Sequence, residues 1–126
     1  MSEHDLQASF FNWIDHYIKT EPEVGLFFAI PNGGWFKNKN IAIKMKREGL
    51  RSGVLDTFLP IPKGGYHGLF LEFKWNKNTL TTSQKLFKKL VEHEGYKVGI
   101  AYNLNEAINI TKSYLKPLSL ESSLTS

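Results

Sequence analysis

Three residues, Asp56, Glu72 and Lys74, have the types and spacing that could bind a divalent cation and act on a phosphodiester. Glu72 and Lys74 lie two apart in the run Leu69-Phe70-Leu71-Glu72-Phe73-Lys74, so in an extended strand they share one face while Leu69, Leu71 and Phe73 share the other. An acid and a base side by side on an otherwise apolar strand are costly to bury without a compensating partner, and a metal ion is one such partner. Asp56 supplies a second carboxylate if the chain folds back symmetrically about Gly64, because that register sets Asp56 opposite Glu72. A slip of two residues would keep both acids on one face, whereas a slip of one would part them. Two carboxylates this close raise each other's proton affinity unless a divalent cation lies between them. Hard oxygen ligands suit Mg2+ or Mn2+ and not zinc. Such an ion polarises a phosphate oxygen and helps make hydroxide from water, while Lys74 offsets charge building on the phosphorus centre or orients the water. A Glu-x-Lys triplet alone is commonplace and equally describes an exposed ion pair on an edge strand. It gains meaning here because Asp56, the glycine-centred turn and the strand phase agree.

The elements that would position these residues can be read from periodicity. Leu6, Phe10, Trp13, Ile14, Tyr17 and Ile18 recur at helical spacing behind Ser2, a candidate N-cap, and this helix should end before Pro22. Residues 26–30 form a short apolar run suited to a buried strand, closed by the turn residues Pro31-Asn32-Gly33-Gly34. A basic helix is predicted over residues 40–48, with Gly49 as its stop. Strands follow at 54–59 and 67–75 around a turn rich in proline and glycine. The next helix places Leu86, Phe87, Leu90 and Val91 on one side and Lys85, Lys88 and Lys89 largely on the other, and ends at Gly95. Tyr96, Val98, Ile100 and Tyr102 alternate as a strand, and a last helix covers 105–115 before Pro117. The order α-β-α-β-β-α-β-α describes an α/β domain, a mixed sheet flanked by helices, over residues 1–116, with a flexible serine-rich tail at 117–126.

Bulk properties narrow the class further. A chain of 126 residues with 41% hydrophobic content supports one core and leaves no room for a second. The absence of cysteine removes disulfide frameworks and thiolate metal sites. No apolar run approaches bilayer length, and the acidic start at Glu3 and Asp5 is unlike a signal peptide, so a soluble, cytoplasmic protein without a membrane partner is expected. The net charge of +4 is unevenly spread: Lys37, Lys39, Lys44, Lys46, Arg47 and Arg51 face only Glu48 across one short stretch. A polyanion fits that stretch, although a solvated helix face would carry the same charges.

With these residues placed, the chain resembles the VRR-NUC family of the PD-(D/E)XK nuclease superfamily from Glu3 to about Leu115. The resemblance rests on ordered blocks: Glu3-x-x-x-Gln7, Ile30-Pro31-Asn32-Gly33-Gly34, Gly49-Leu50-Arg51-Ser52-Gly53-Val54-Leu55-Asp56, Leu71-Glu72-Phe73-Lys74, Thr82-Ser83-Gln84 and Gly95-Tyr96-Lys97-Val98. It departs from the signature at Leu55, where a proline precedes the aspartate; that proline binds nothing, so metal binding is left intact.

The resemblance implies a restriction-endonuclease-like fold and a metal-dependent DNA endonuclease. It implies that Asp56 and Glu72 hold Mg2+ or Mn2+ with the Phe73 carbonyl, that Lys74 is the catalytic lysine, and that Gln84 reaches the site from the following helix. Glu3 would match the acid often found on the first helix of the superfamily. Gln84 also stands at capping-box spacing from Thr81, and Glu3 at a position that complements the helix dipole, so each has a purely structural alternative. His4, His16, His67 and His93 show no metal-ligand spacing. Family members consisting of this domain alone resemble homodimers acting on branched DNA such as Holliday junctions, and two symmetric cuts do require two sites. Lys37, Lys39, Lys44, Lys46, Arg47, Arg51 and Lys85, with Lys88 and Lys89, would follow the phosphate backbone, and Asn32 would join them. Trp35 and Phe36 could stack on unpaired bases or serve packing. The alternatives are a nuclease for flapped, nicked or linear DNA, and an inactive DNA-binding module of the same fold.

Overall fold

Leu6, Phe10 and Ile14 recur every fourth residue, and in the computed structural model, which describes residues 1–31 and 38–116, they form the buried stripe of helix α1 (Glu3–Tyr17). The Ser2 hydroxyl caps this helix by accepting from the Asp5 N–H at 3.1 Å, as its sequence position predicts. A 3-10 helix (Pro22–Leu26) follows, then β1 (Phe28–Ala29), α2 (Lys39–Arg47), β2 (Thr57–Leu59), β3 (Leu69–Phe73), α3 (Thr82–His93), β4 (Lys97–Ala101) and α4 (Leu104–Leu115). The turn around Asn32, the side chains of Trp35, Phe36 and Lys37, and the tail 117–126 lie outside the described residues.

Among the described residues the strands form one sheet in the order β1-β2-β3-β4. The first three are antiparallel and β4 runs parallel to β3. The parallel step requires a crossover, which α3 supplies. On one face Leu69, Leu71 and Phe73 are fully buried against α1 and α4, and Phe10 lies with its ring 5.2 Å from Phe27 and 5.4 Å from Phe73. On the other face Phe58, Phe70 and Tyr96 form an aromatic layer that meets Phe87 of α3 edge-on at 5.3 Å. The strand phase read from the sequence is therefore the observed one.

The register is also the anticipated one, but the turn differs. Thr57 pairs with Leu71, Phe58 with Phe70 and Leu59 with Leu69, which extends to Asp56 opposite Glu72. The turn is not centred on Gly64. Lys63 and Tyr66 exchange hydrogen bonds of 3.1 and 2.8 Å across Gly64 and Gly65, whose φ values of 57° and 88° suit a type I′ hairpin. An extra residue in Pro60-Ile61-Pro62, facing His67-Gly68, restores the pairing.

Two elements differ from expectation. The strand anticipated at 26–30 is only Phe28–Ala29, because Pro22 starts a 3-10 turn closed by Val24 N–H to Glu21 and Phe27 N–H to Val24 bonds. Helix α3 is rotated from the anticipated setting: Gln84, Phe87, Lys88 and Val91 face the body, while Leu86 and Leu90 are 58% and 56% exposed. That rotation carries Phe87 onto Phe70, and it leaves Lys88 paired with Glu92 at 3.0 Å.

Candidate active site

The site begins where the β2–β3 ladder stops. Beyond Thr57–Leu71 the main-chain rungs are replaced by carboxylates: Glu72 Oε1 accepts from the Asp56 N–H, and Asp56 Oδ2 accepts from the Phe73 N–H, each at 2.9 Å. Each acid is thus fixed by its neighbour's backbone, which is why residues 54–56, anticipated as strand, lie outside β2. The Asp56 carbonyl is also engaged, accepting from the Ile30 N–H at 2.7 Å. In an extended strand the N–H and C=O of one residue point to the same side, so the Phe73 carbonyl lies on the edge that Asp56 approaches.

Lys74 and Gln84 converge on the other Glu72 oxygen. Lys74 Nζ is 3.6 Å from Glu72 Oε2, and Gln84 Nε2 donates to the same atom at 2.9 Å. Gln84 does this while completing a capping box with Thr81: its Oε1 accepts from the Thr81 N–H at 3.0 Å, and its own N–H donates to the Thr81 hydroxyl at 3.2 Å. One amide makes both sets of contacts, since it has an acceptor and donors to give.

Glu3 lines the same cleft, which encloses about 310 Å³ together with Arg51, Ser52, Gly53, Val54, Asp56, Glu72, Thr81 and Gln84. Two residues that position this cleft were not singled out in the sequence. Asn78 Nδ2 donates to Glu3 Oε2 at 3.0 Å, and the Asn78 carbonyl accepts from the Tyr102 hydroxyl at 3.0 Å; no periodicity signals either contact. Gly53 has φ +84°, and a Cβ there would sit 2.5 Å from the Ser83 carbonyl oxygen, so only glycine lets the loop before Asp56 lie on the first turn of α3. Its place in the Gly49–Asp56 block was the available signal.

Electrostatics mark the acid pair as short of positive charge. Burial raises the Asp56 carboxyl above its ordinary value, against the pull of the Phe73 N–H. Burial, then repulsion from Asp56, pushes Glu72 up to about 8. A proton near neutrality therefore stands where a cation would satisfy the pair better. Among the described residues no third acid or histidine completes a site of three such side chains. The donor set that fits a hard cation is the two carboxylates, a main-chain oxygen and oxygens from outside the chain.

The basic residues separate into two groups. Lys39, Lys44, Lys46 and Arg47 are exposed on α2, none of whose residues is buried, and Lys85 is exposed on the first turn of α3. Arg51, beyond the Gly49 stop, is exposed as well and lines both a hollow shared with Lys46 of α2 and the acid cleft.

This mixed sheet, with an acid on each of two adjacent segments and a lysine two residues after the second, is the architecture of the PD-(D/E)XK nuclease class. A solved structure described as a "VRR_NUC domain protein" superposes with a TM-score of 0.76 at 27% identity, over 92% of this chain and 89% of that one. The chain shares the fold of that VRR_NUC domain protein. A scan of protein-family models gives no match, and a search of curated proteins gives none either.

Proposed function

We propose that the chain is a divalent-metal-dependent endodeoxyribonuclease that hydrolyses phosphodiester bonds in branched DNA such as Holliday junctions. The observation that carries this reading is the interlock of Asp56, just before β2, with Glu72 of β3, the Lys74 ammonium lying 3.6 Å from Glu72. Asp56, Glu72 and the Phe73 carbonyl would hold Mg2+ or Mn2+, which supplies Lewis-acid polarisation of a phosphate oxygen and acidifies water.

The chain's own residues do the rest. Lys74, buried beside Glu72, offsets the negative charge that grows on the phosphate as water oxygen bonds to phosphorus and the bridging P–O bond breaks. The water's proton ends on the leaving oxygen or in solvent. Gln84 fixes the Glu72 carboxylate in one orientation, and Asn78 does the same for Glu3. The exposed cations of α2, with Lys85, follow backbone phosphates without reading sequence. Two copies would supply the paired cuts that a four-way junction needs. No helix among the described residues is long and apolar enough to cross a membrane.

Cleavage of a synthetic four-way junction with Mn2+, compared with a linear duplex of matched sequence, tests the reading. Faster cutting of the junction, lost in Glu72→Ala and Lys74→Ala, is expected. Equal rates on both substrates would favour the linear or flapped-DNA reading, and binding without any cutting would favour the inactive module.

A further inference from the structure

The nine residues of α2 and the loop that follows it carry the basic stretch, yet the structure divides that stretch in two. Gly49, at φ 111°, ends the helix, so Arg51 follows it on the loop, where it borders a hollow with Lys46 on one side and the acid cleft on the other. The loop carrying Arg51 is pinned two residues on, where Gly53 lies against the Ser83 carbonyl with no room for a Cβ. Arg51 and the first turn of α3 thereby become two walls of the cleft that holds Glu3, Asp56, Glu72 and Gln84.

Three acids share this cleft with Arg51, yet among the described residues Arg51 forms no ion pair with any of them. Lys74 takes the ion-pair contact with Glu72 instead. Arg51 thus borders the acids with its hydrogen-bond donors uncommitted to them.

We propose that Arg51 holds the scissile phosphate, and is thus a catalytic residue and not one more contact to the flanking backbone. The inference rests on the nuclease reading and deepens it. A phosphodiester presents two non-bridging oxygens in a plane that the guanidinium fork matches with two parallel hydrogen bonds. Asp56 and Glu72 would hold the cation, while Arg51 binds the non-bridging oxygens of the phosphate directly. Charge that builds on those oxygens during attack strengthens the Arg51 contact, so its effect falls on turnover. The α2 lysines, spread along an exposed helix, contact phosphates away from the bond that breaks, so their effect falls on binding.

The test uses Arg51→Ala, Arg51→Lys, the double variant Lys44→Ala/Lys46→Ala, and Lys112→Ala on α4 as a control. Each is assayed for steady-state cleavage of a four-way junction with Mn2+ and for junction binding in EDTA across a salt series. Arg51→Ala is expected to lower kcat about 100-fold with its melting temperature unchanged. Arg51→Lys, which keeps the charge and loses the fork, should fall between it and the wild type. The α2 double variant should raise KM and reduce the salt slope of binding by about two, while Arg51→Ala reduces that slope by no more than about one. Lys112→Ala should match the wild type. If Arg51→Ala keeps the wild-type kcat and changes only KM, the proposal is wrong and the nuclease reading stands. A wild-type chain that cuts no junction, flap or duplex with Mn2+ removes both.

Discussion

Glu72 is 1% exposed and its carboxyl is raised to about 8, so at neutral pH the metal-free chain carries a buried acid that unfolding would release. The sign follows from linkage. In the unfolded chain the group ionises near 4.5, while in the folded chain it holds its proton to about 8, so the folded state binds more protons across that interval. Stability of the metal-free chain should therefore fall as pH rises from about 5 to 8, with Asp56, also raised, adding in the same direction. Thermal melts in EDTA across this range check the slope, and Glu72→Gln should flatten it and melt higher than the wild type at pH 8. Mn2+ should reverse the trend, because it competes with the proton for the same oxygens. Gln84 gives a second comparison. Thr81→Ala and Gln84→Ala both break the capping box and should each cost about 1 kcal/mol in denaturant melts. Only Gln84→Ala also frees Glu72, and only it should lower kcat beyond what the lost stability explains. Equal activity in the two variants would reduce Gln84 to a cap.

At the scale of elements, the interlock between the Gly53 loop and α3 decides how the cleft closes. Gly53→Ala meets both a positive φ and a 2.5 Å approach to a backbone oxygen, so relief requires moving the loop or the helix. We expect a loss of more than about 1 kcal/mol in stability together with lower activity, whereas Gly65→Ala, strained in φ but with open space around it, should lose stability alone. Activity that survives Gly53→Ala undiminished would show that the loop's seat on α3 is unimportant. The order of elements, the phase of β3 and the pairing of Asp56 with Glu72 were all legible, because apolar alternation and turn residues are local signals. The compensating residue in Pro60-Ile61-Pro62 was not legible, since the assumed turn and the real one give the same register. The rotation of α3 was hidden for a related reason. Leu86 and Leu90 look like core in a helical count, but Gln84 and Phe87 have specific partners on the sheet that fix the helix about its axis. Asn78 was silent in the sequence because its contacts to Glu3 and Tyr102 are long-range and polar.

For the whole molecule, charge and chemistry are consecutive along the chain. The basic helix α2 is followed along the chain by Arg51, Gly53 and Asp56, so under the proposed reading a polyanion attracted to the helix would be brought toward the acids. A chain with one such cleft makes one cut at a time, and the proposed action on a four-way junction calls for a pair of chains. Sedimentation of the free chain and of its junction complex should show twice the single-chain mass; a single copy on the junction would contradict the paired-cut reading while leaving the chemistry of the cleft untouched.

Whether the interlocked acids bind a divalent cation is decided by anomalous diffraction from crystals grown with Mn2+. A manganese peak in contact with Asp56, Glu72 and the Phe73 carbonyl oxygen is expected, absent in crystals of Asp56→Ala. Fully ordered acids with no manganese between them at saturating Mn2+, or a peak bound elsewhere on the chain, would contradict it.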